Sequence, residues 1–398
     1  MMKRNFIMWL VVLIICNIAL FSCSKEPIYD DQGHSSGSSA IYKDIFYVST
    51  KNKSYTYNIN CYSLTNTQSS SLYACSDVLC THNTVECPTY MKTNLNSIAI
   101  DVPESDNNDY CAVIYMSDLN KINKFDSKNN KTRLIKEYND GTIVSFWLYN
   151  DWIYFVFNYK NEIQLRRIDK SGKNELIAER ENNDISFRIL GFDENYLYYM
   201  DFLSNYYRID LDLKCEEFLF STTCFVNGII HNGYLYYCND LTSESHGDMN
   251  FEICALYRTK LDMLFTDDCS HEFIMDNILV SVTPMVFYSN GNIFYNLCNP
   301  QKIGENKLSD ESGSEYIYPI WLSGSSTMYI LDTDTLKGGV VYEDIGYDLS
   351  RFYYADENIV LIRGLEYYQD TNDLWYSKSL TLMFDIKSGK TVEIAVTE

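Results

Sequence analysis

The sequence is poor in proline, glycine and basic residues. Its 398 residues include 6 Pro and 17 Gly, and 32 Lys and Arg stand against 54 Asp and Glu, which gives a formal net charge of -22. Collagen-like and low-complexity chains need far more Pro and Gly. Nucleic-acid binding needs basic patches that meet phosphate. These classes are therefore excluded, and we expect no nucleic-acid partner.

Aromatic residues are abundant instead. The chain has 35 Tyr and 20 Phe, and 46% of its residues are hydrophobic. A chain of this length and composition can bury a substantial core. Because Tyr and Phe favour strands, the composition predicts a globular all-β protein.

The N-terminus has the pattern of an export signal. Lys3 and Arg4 precede an apolar run from Phe6 to Phe21, which is shorter than the roughly 20 residues that span a bilayer. Leu20-Phe21-Ser22-Cys23 then resembles a bacterial lipobox, in which the cysteine is lipidated and becomes the first mature residue. We predict a signal peptide over residues 1–22, a lipid on Cys23, and a location in the cell envelope outside the cytoplasm. An uncleaved anchor helix is the alternative.

Residues 23–40 have the composition of a flexible tether. Gln32 to Ser39 reads Gln-Gly-His-Ser-Ser-Gly-Ser-Ser, and Gly/Ser-rich chain behaves as random coil. A Gly-x-Ser-x-Gly match at Gly33 to Gly37 lies here, without the preceding strand and following helix of a nucleophile elbow. We assign it no catalytic role and predict one folded domain over residues 41–398.

A two-strand pattern recurs through that domain. A polar turn precedes an aliphatic-aromatic strand, and a second strand then ends in a basic or Asp-containing turn. The closest copies are separated by roughly 40 residues, the length of one four-stranded propeller blade. We predict a single β-propeller of seven blades, with six or eight blades and a β-sandwich as alternatives. The aligned aromatic position gives seven copies: Phe46, Tyr115, Tyr154, Tyr198, Tyr236, Phe294 and Val360.

The tightest copies carry a recognisable motif. Tyr198-Tyr199-Met200-Asp201 is followed by Arg208-Ile209-Asp210, and Arg167-Ile168-Asp169 is followed by Gly172. This pattern resembles the YWTD-type propeller repeats of low-density-lipoprotein-receptor-like proteins. The chain is also similar to an uncharacterised family of bacterial lipoprotein propellers. The resemblance implies a propeller fold and assigns no activity.

Three thiols and one imidazole lie close together in the sequence after the first repeat, at Cys75, Cys80, His82 and Cys87. Thiolate and imidazole are the ligands that zinc prefers, although the spacing lacks the usual Cys-x2-Cys pairs. Export favours disulfides, within the cluster or with Cys61 or Cys111, and reduced structural thiols are the third interpretation. The lipoprotein propellers named above share the Cys-x4-Cys-x-His form, which marks kinship. Zinc is the one cofactor that the sequence suggests, at Cys75, Cys80, His82 and Cys87.

The long intervals between repeats predict loop insertions at Gln68 to Tyr110, Asn239 to Glu252 and Asn299 to Tyr318. Propellers and similar scaffolds carry function on such loops. We find no catalytic constellation and predict a monomeric, non-catalytic lipoprotein that binds a protein, peptide or glycan. Two alternatives stay open, a scaffold or accessory subunit of an envelope complex and a propeller-type hydrolase or lyase.

Overall fold

Short polar turns between alternating strands favour antiparallel pairing of each strand with the next one along the chain. The computed structural model shows this arrangement for most of its strand pairs. It describes residues 39–42, 45–51, 57–63, 72–73, 87, 90–91, 97–101, 113–118, 120–126, 129–181, 187–224, 228–246, 249–264, 269–280, 285–288, 291–309, 314–324, 326–343, 345–355 and 359–396. All of them belong to one compact part of the chain, Gln32–Glu398.

The described strands fall into successive groups, which we call units 1 to 7. Units 1 to 3 consist of β1 (Ser39–Tyr42), β2 (Ile45–Lys51), β3 (Tyr57–Ser63), β4 (Leu72–Tyr73) and β5 (Tyr90–Met91); then β6 (Ser97–Asp101), β7 (Val113–Asp118), β8 (Lys121–Asp126) and β9 (Lys131–Glu137); then β10 (Thr142–Tyr149), β11 (Trp152–Tyr159), β12 (Glu162–Asp169) and β13 (Asn174–Glu181).

Units 4 and 5 repeat the four-strand order, and a short 3-10 helix, Leu261–Met263, follows the third strand of unit 5. Their strands are β14 (Arg188–Phe192), β15 (Tyr196–Met200), β16 (Asn205–Asp210) and β17 (Glu216–Ser221); then β18 (Ile229–His231), β19 (Tyr234–His246), β20 (Met249–Lys260) and β21 (Glu272–Leu279).

Unit 6 contains an extra hairpin between its second and third strands. Its strands are β22 (Met285–Tyr288), β23 (Asn292–Tyr295), the hairpin β24 (Cys298–Ser309) and β25 (Glu315–Gly324), then β26 (Met328–Asp332) and β27 (Lys337–Tyr342); unit 7 has β28 (Asp348–Ala355), β29 (Ile359–Gln369), β30 (Trp375–Asp385) and β31 (Lys390–Val396).

The first strands of neighbouring units lie side by side. β1 lies beside β6, β6 beside β10 and β14 beside β18. β22 and β28 pair in parallel through Tyr288 and Ala355, which joins units 6 and 7 into one eight-stranded sheet. Antiparallel sheets with their first strands clustered form a β-propeller, so the predicted all-β propeller fold is confirmed. The number of blades in the complete ring stays a prediction.

The sequence repeat corresponds to the two middle strands of each unit. Every aligned aromatic position lies in the second strand of its unit. Tyr154, Tyr198 and Tyr236 are each 1% exposed. Tyr154 of unit 3 belongs to the same buried cluster as Leu197 and Tyr199 of unit 4, and burying such side chains contributes about 1.5–3 kcal/mol each. The repeat therefore encodes the contact between units.

The aliphatic-Asp pair of the repeat closes the turn after the third strand. The aliphatic residue is buried, as in Ile168. Asp169 Oδ1 accepts hydrogen bonds from the backbone N–H groups of Ser171 (2.9 Å) and Lys173 (2.8 Å). The Ser171 hydroxyl and these N–H groups hold the pKa of Asp169 below its usual value. Three further units use the same Asx turn, at Asp210, Asp332 and Asp385.

The basic residue of the repeat stacks on an aromatic ring. In unit 4 the Arg208 guanidinium lies 4.1 Å from the Tyr196 ring centre, and its Nε donates to Glu217 at 2.6 Å. We call this arrangement the Arg sandwich. It combines a cation–π contact with an ion pair. Units 3 and 5 repeat it with Trp152, Arg167 and Glu175, and with Tyr234, Arg258 and Glu272.

Glu175 makes the stability of the fold depend on pH. Hydrogen bonds from Lys173 and Arg167 lower its pKa from 4.5 to about 2. Because the folded-state pKa is depressed, its contribution is complete above about pH 4.5 and is lost as the pH falls toward 2. The difference in unfolding free energy between wild type and Glu175→Gln, measured in urea, should therefore shrink over this range. A difference that stays constant would contradict the prediction, and Glu194→Gln, at an exposed turn, is the matched control.

Candidate functional site

Three long hairpins extend from consecutive units at the connection between the second and third strands. We call them together the hairpin face, defined as the distal part of β19–β20 (240–253), all of β24–β25 (298–324) and the distal part of β29–β30 (365–378). Equivalent connections of a propeller lie at the same end of the sheets. The opposite end carries the short Asx turns described above.

Two of the predicted insertions are present, but they are not loops. Asn239 to Glu252 and Asn299 to Tyr318 are mostly paired strands, not loops. Their polar sequences do not alternate strongly because both sides of an extended hairpin meet solvent. The first predicted insertion, Gln68 to Tyr110, contains β4, β5 and β6, so part of it belongs to the sheets of units 1 and 2.

The hairpin of unit 7 was missed by the sequence analysis. β29 and β30 continue in register to Gln369 and Trp375, around a turn closed by Asp370. The signal was present, because a Tyr-rich segment and a Trp-Tyr segment flank Asp-Thr-Asn-Asp, a pattern typical of a hairpin. The long spacing inside this repeat concealed it.

The hairpins of units 5 and 6 pack through an aromatic cluster. Trp321 of β25 lies with its ring centre 5.9 Å from that of His246 and 6.2 Å from that of Phe251. Phe251 is buried with Leu279 and Cys298 at the base of β24. Edge-to-face rings at these distances contribute about 0.5–1.5 kcal/mol beyond area burial. The two hairpins are therefore held together by a small core of their own.

The hairpins of units 6 and 7 are joined through one side-chain amide. Asn306 Nδ2 donates to the Trp375 carbonyl oxygen at 2.9 Å, and Asn306 Oδ1 accepts from the Trp375 backbone N–H at 2.6 Å. The amide thus pairs with the backbone of Trp375, the first residue of β30, as a neighbouring strand would. Beside it, the Trp375 indole lies directly over Gly304, where a Cβ atom would come within 2.1 Å of the indole Nε1.

Gly304→Ala is expected to separate these two hairpins. The added Cβ has no room beside the Trp375 ring, and overpacking of this kind costs about 1–3 kcal/mol. We expect a lower unfolding free energy and altered tryptophan emission, both measured by urea titration. Gly339→Ala is the matched control, because a Cβ at Gly339 meets nothing within 4 Å. Equal stabilities of the two variants would contradict this account.

The distal hairpins expose large apolar and aromatic side chains. Ile317 is 58% exposed, and the residues on either side of it, which point to the other face of the strand, are about half exposed as well. Tyr368 and Tyr376 stack across β29 and β30 with ring centres 5.9 Å apart. Contiguous exposed groups of this kind mark interaction surfaces. The exposed set is Leu241, Leu308, Tyr316, Ile317, Tyr318, Tyr368 and Tyr376.

The predicted cysteine cluster and the lipidation site lie mostly outside the described residues. Cys23, Cys75, Cys80 and His82 fall there, and Cys87 is described and buried. The zinc and disulfide hypotheses therefore stay predictions. Within the described part of the chain, no three His, Cys, Asp or Glu side chains come together as a metal-binding group.

One thiol and one imidazole approach each other in unit 5. Cys269 Sγ lies 4.0 Å from His271 Nε2, and the Tyr237 hydroxyl lies 2.5 Å from His271 Nδ1. Burial lowers the pKa of His271. The sulfur–nitrogen distance lies at the upper limit for a hydrogen bond to sulfur, and the imidazole is already in contact with the Tyr237 hydroxyl. We therefore assign no nucleophile to this pair.

No helix in the described ranges is both long and apolar enough to cross a bilayer. No protein-family profile and no curated relative matches the sequence. Solved structures with a similar fold include the Swd1 β-propeller domain of Myceliophteria thermophila, with 9% identity over 84% of this chain and 95% of that chain and a TM-score of 0.42.

TolB from Acinetobacter baumannii is 11% identical over 92% of this chain and 80% of its own, with a TM-score of 0.41. A puromycin-hydrolyzing peptidase from Mycobacterium tuberculosis is 8% identical over 90% of this chain, which spans 53% of the peptidase, with a TM-score of 0.51. At such identities the likeness concerns the fold alone.

Proposed function

We propose that this chain is a lipid-anchored, extracytoplasmic β-propeller that binds a partner protein through its hairpin face and catalyses no reaction. The observation that carries the proposal is the packing of three hairpins from consecutive units, which presents exposed aromatic side chains on a supported surface. Aromatic anchors dominate the energetics of protein interfaces.

The contacts that hold the hairpins against one another favour a binding role for them over a purely structural one. An isolated two-stranded hairpin is marginally stable in water, yet here Asn306 and Trp321 fix each hairpin against its neighbours. Side chains on such a rigid element lose little entropy when a partner covers them. The predicted tether before unit 1 leaves the propeller free to turn this face toward a partner beside the membrane.

The proposal is tested by affinity capture from the native envelope. Tyr316→Ser/Ile317→Ser/Tyr318→Ser, within the hairpin face, should reduce recovery of the partner at least about tenfold, since each anchor contributes 1 kcal/mol or more. Leu213→Ser/Phe273→Ser removes exposed apolar side chains elsewhere and should leave recovery unchanged. Equal recovery by both variants and wild type would contradict the proposal.

A further inference from the structure

The hairpin face is more acidic than the rest of the chain. Of its 55 residues, the 49 that the structure describes contain eight Asp and Glu and three Lys, a net charge of -5. The other 349 residues of the chain carry -17, so the described part of the face has about twice as much negative charge per residue. Glu315, Glu366 and Asp373 are exposed there. A surface of one sign attracts partners of the opposite sign and repels those of its own.

Acidic and aromatic side chains alternate along the edge of this face. Glu366 and Tyr368 are two residues apart on β29, so they lie on the same side of the strand. Tyr376 of β30 lies directly across from Tyr368 and stacks on it. Lys378 lies across from Glu366 and pairs with Glu393 at 3.6 Å, so a flat pair of rings with the Glu366 carboxylate beside it is presented to solvent.

The chain already shows what such a combination binds. In each Arg sandwich, a guanidinium lies between an aromatic ring and a carboxylate, with 4.1–4.4 Å from the guanidinium carbon to the ring centre. Arginine suits this place better than lysine, because its planar group stacks on the ring while its N–H groups remain directed at the carboxylate. The hairpin face presents rings and carboxylates of the same kind on its outer surface.

We infer that the partner of the hairpin face is an arginine-rich, cationic protein segment, whose guanidinium groups stack on the exposed tyrosines and pair with the neighbouring carboxylates. The inference rests on the proposed function, for which it specifies the chemistry of the partner. A neutral glycan would stack on the rings and donate hydroxyl hydrogen bonds to the carboxylates, but it would gain nothing from the negative charge of the face. An acidic partner would be repelled.

Fluorescein-labelled nona-arginine, nona-lysine and nona-glutamate peptides, titrated at several salt concentrations, test the inference on the purified full-length protein. We expect nona-arginine to bind about 2- to 5-fold more tightly than nona-lysine, the range of a cation–π advantage. Nona-glutamate should not bind. Tyr368→Leu/Tyr376→Leu should remove the preference for arginine, while binding of both cationic peptides continues to weaken with salt.

Charge variants separate a local site from the general acidity of the chain. Glu315→Gln/Glu366→Gln/Asp373→Asn should weaken nona-arginine binding at least about fivefold. Glu194→Gln/Asp212→Asn/Asp334→Asn removes three exposed carboxylates from the short turns at the other end of the sheets and should change it less than twofold. Equal effects of the two triple variants, or equal affinities for arginine and lysine peptides, would overturn the inference.

The two proposals fail in distinguishable ways. If affinity capture identifies a partner that depends on the hairpin aromatics but lacks a basic segment, the proposed function holds and the inference is wrong. If capture is insensitive to the hairpin variants, the proposed function itself is wrong.

Discussion

Cys23→Ala is expected to transfer the protein from the membrane fraction to the soluble fraction. If residues 1–22 are a lipoprotein signal peptide, Cys23 provides the thiol that receives the lipid. Multiple acyl chains hold a protein firmly at a bilayer, and the Cys23→Ala variant lacks the thiol that accepts them. Loss of membrane association should therefore be nearly complete.

The measurement is fractionation of cells that express each variant, combined with metabolic labelling by a fatty acid. Cys16→Ala is the matched control, because it removes a thiol from the same segment outside the predicted lipobox. It should retain both label and membrane association. A wild-type protein that stays in the membrane without incorporating label would show that the N-terminal segment is an uncleaved anchor.

Arg180→Leu is expected to lower the unfolding free energy more than any other change considered above. Arg180 is the next-to-last residue of β13, the last strand of unit 3, and its side chain reaches unit 4. Its NH2 group donates to the Tyr199 hydroxyl and to Glu216, each at 2.5 Å, and its guanidinium lies 4.4 Å from the Tyr207 ring centre. The side chain is 16% exposed, so water can replace few of its hydrogen bonds when it is removed.

Removing this cation leaves one buried carboxylate without an opposing charge, whereas Glu216 is a third exposed. The Asp201 carboxylate, 2% exposed, lies 3.8 Å from the guanidinium. The Tyr199 hydroxyl donates to Glu216, and burial raises the pKa of Tyr199, so it stays a neutral donor. Breaking a buried ion pair from one side typically costs 3–5 kcal/mol. Because Asp201 also accepts hydrogen bonds from Leu203 and Asn205, we expect about 3 kcal/mol.

Urea unfolding at neutral pH measures this change. Arg133→Leu, at an exposed position of β9, is the matched control and should stay within about 0.5 kcal/mol of wild type. Arg180→Lys should fall between the two, since it keeps the charge and loses the planar group. A loss below 1 kcal/mol in Arg180→Leu would mean that water or another cation replaces the guanidinium.

The sequence predicted the second and third strands of each unit but not the first and fourth strands. The second strands are buried almost continuously, as in β15, and the third strands bury residues at intervals, such as Tyr206 and Ile209, because both strands lie within the sheet and contact the neighbouring units. Outer strands such as β9 are exposed over most of their length, so their sequences lack such apolar residues. The motif residues were recognised, yet their roles in Arg sandwiches and Asx turns required the structure.

The candidate site was harder to predict than the fold. The segment around Gly304 and Asn306 is polar and contains few strand-favouring residues, so it resembles a loop. What makes it a strand is its pairing with β25 and its contact with Trp375, about 70 residues later in the chain. Tertiary contacts of this kind override local propensity and leave no local trace in the sequence.

The extra hairpin of unit 6 also bears on the order of folding. β23 and β26 are sheet neighbours separated by more than 30 residues, from Tyr295 to Met328. Closing so long a segment is entropically unfavourable, but β24 and β25 pair locally and bring Cys298 and Gly324 opposite each other. With the hairpin formed, the loop left to close is only a few residues long, which lowers the closure cost by about 1–1.5 kcal/mol. The hairpin should therefore form before the rest of unit 6 and accelerate the pairing of β26 with β23.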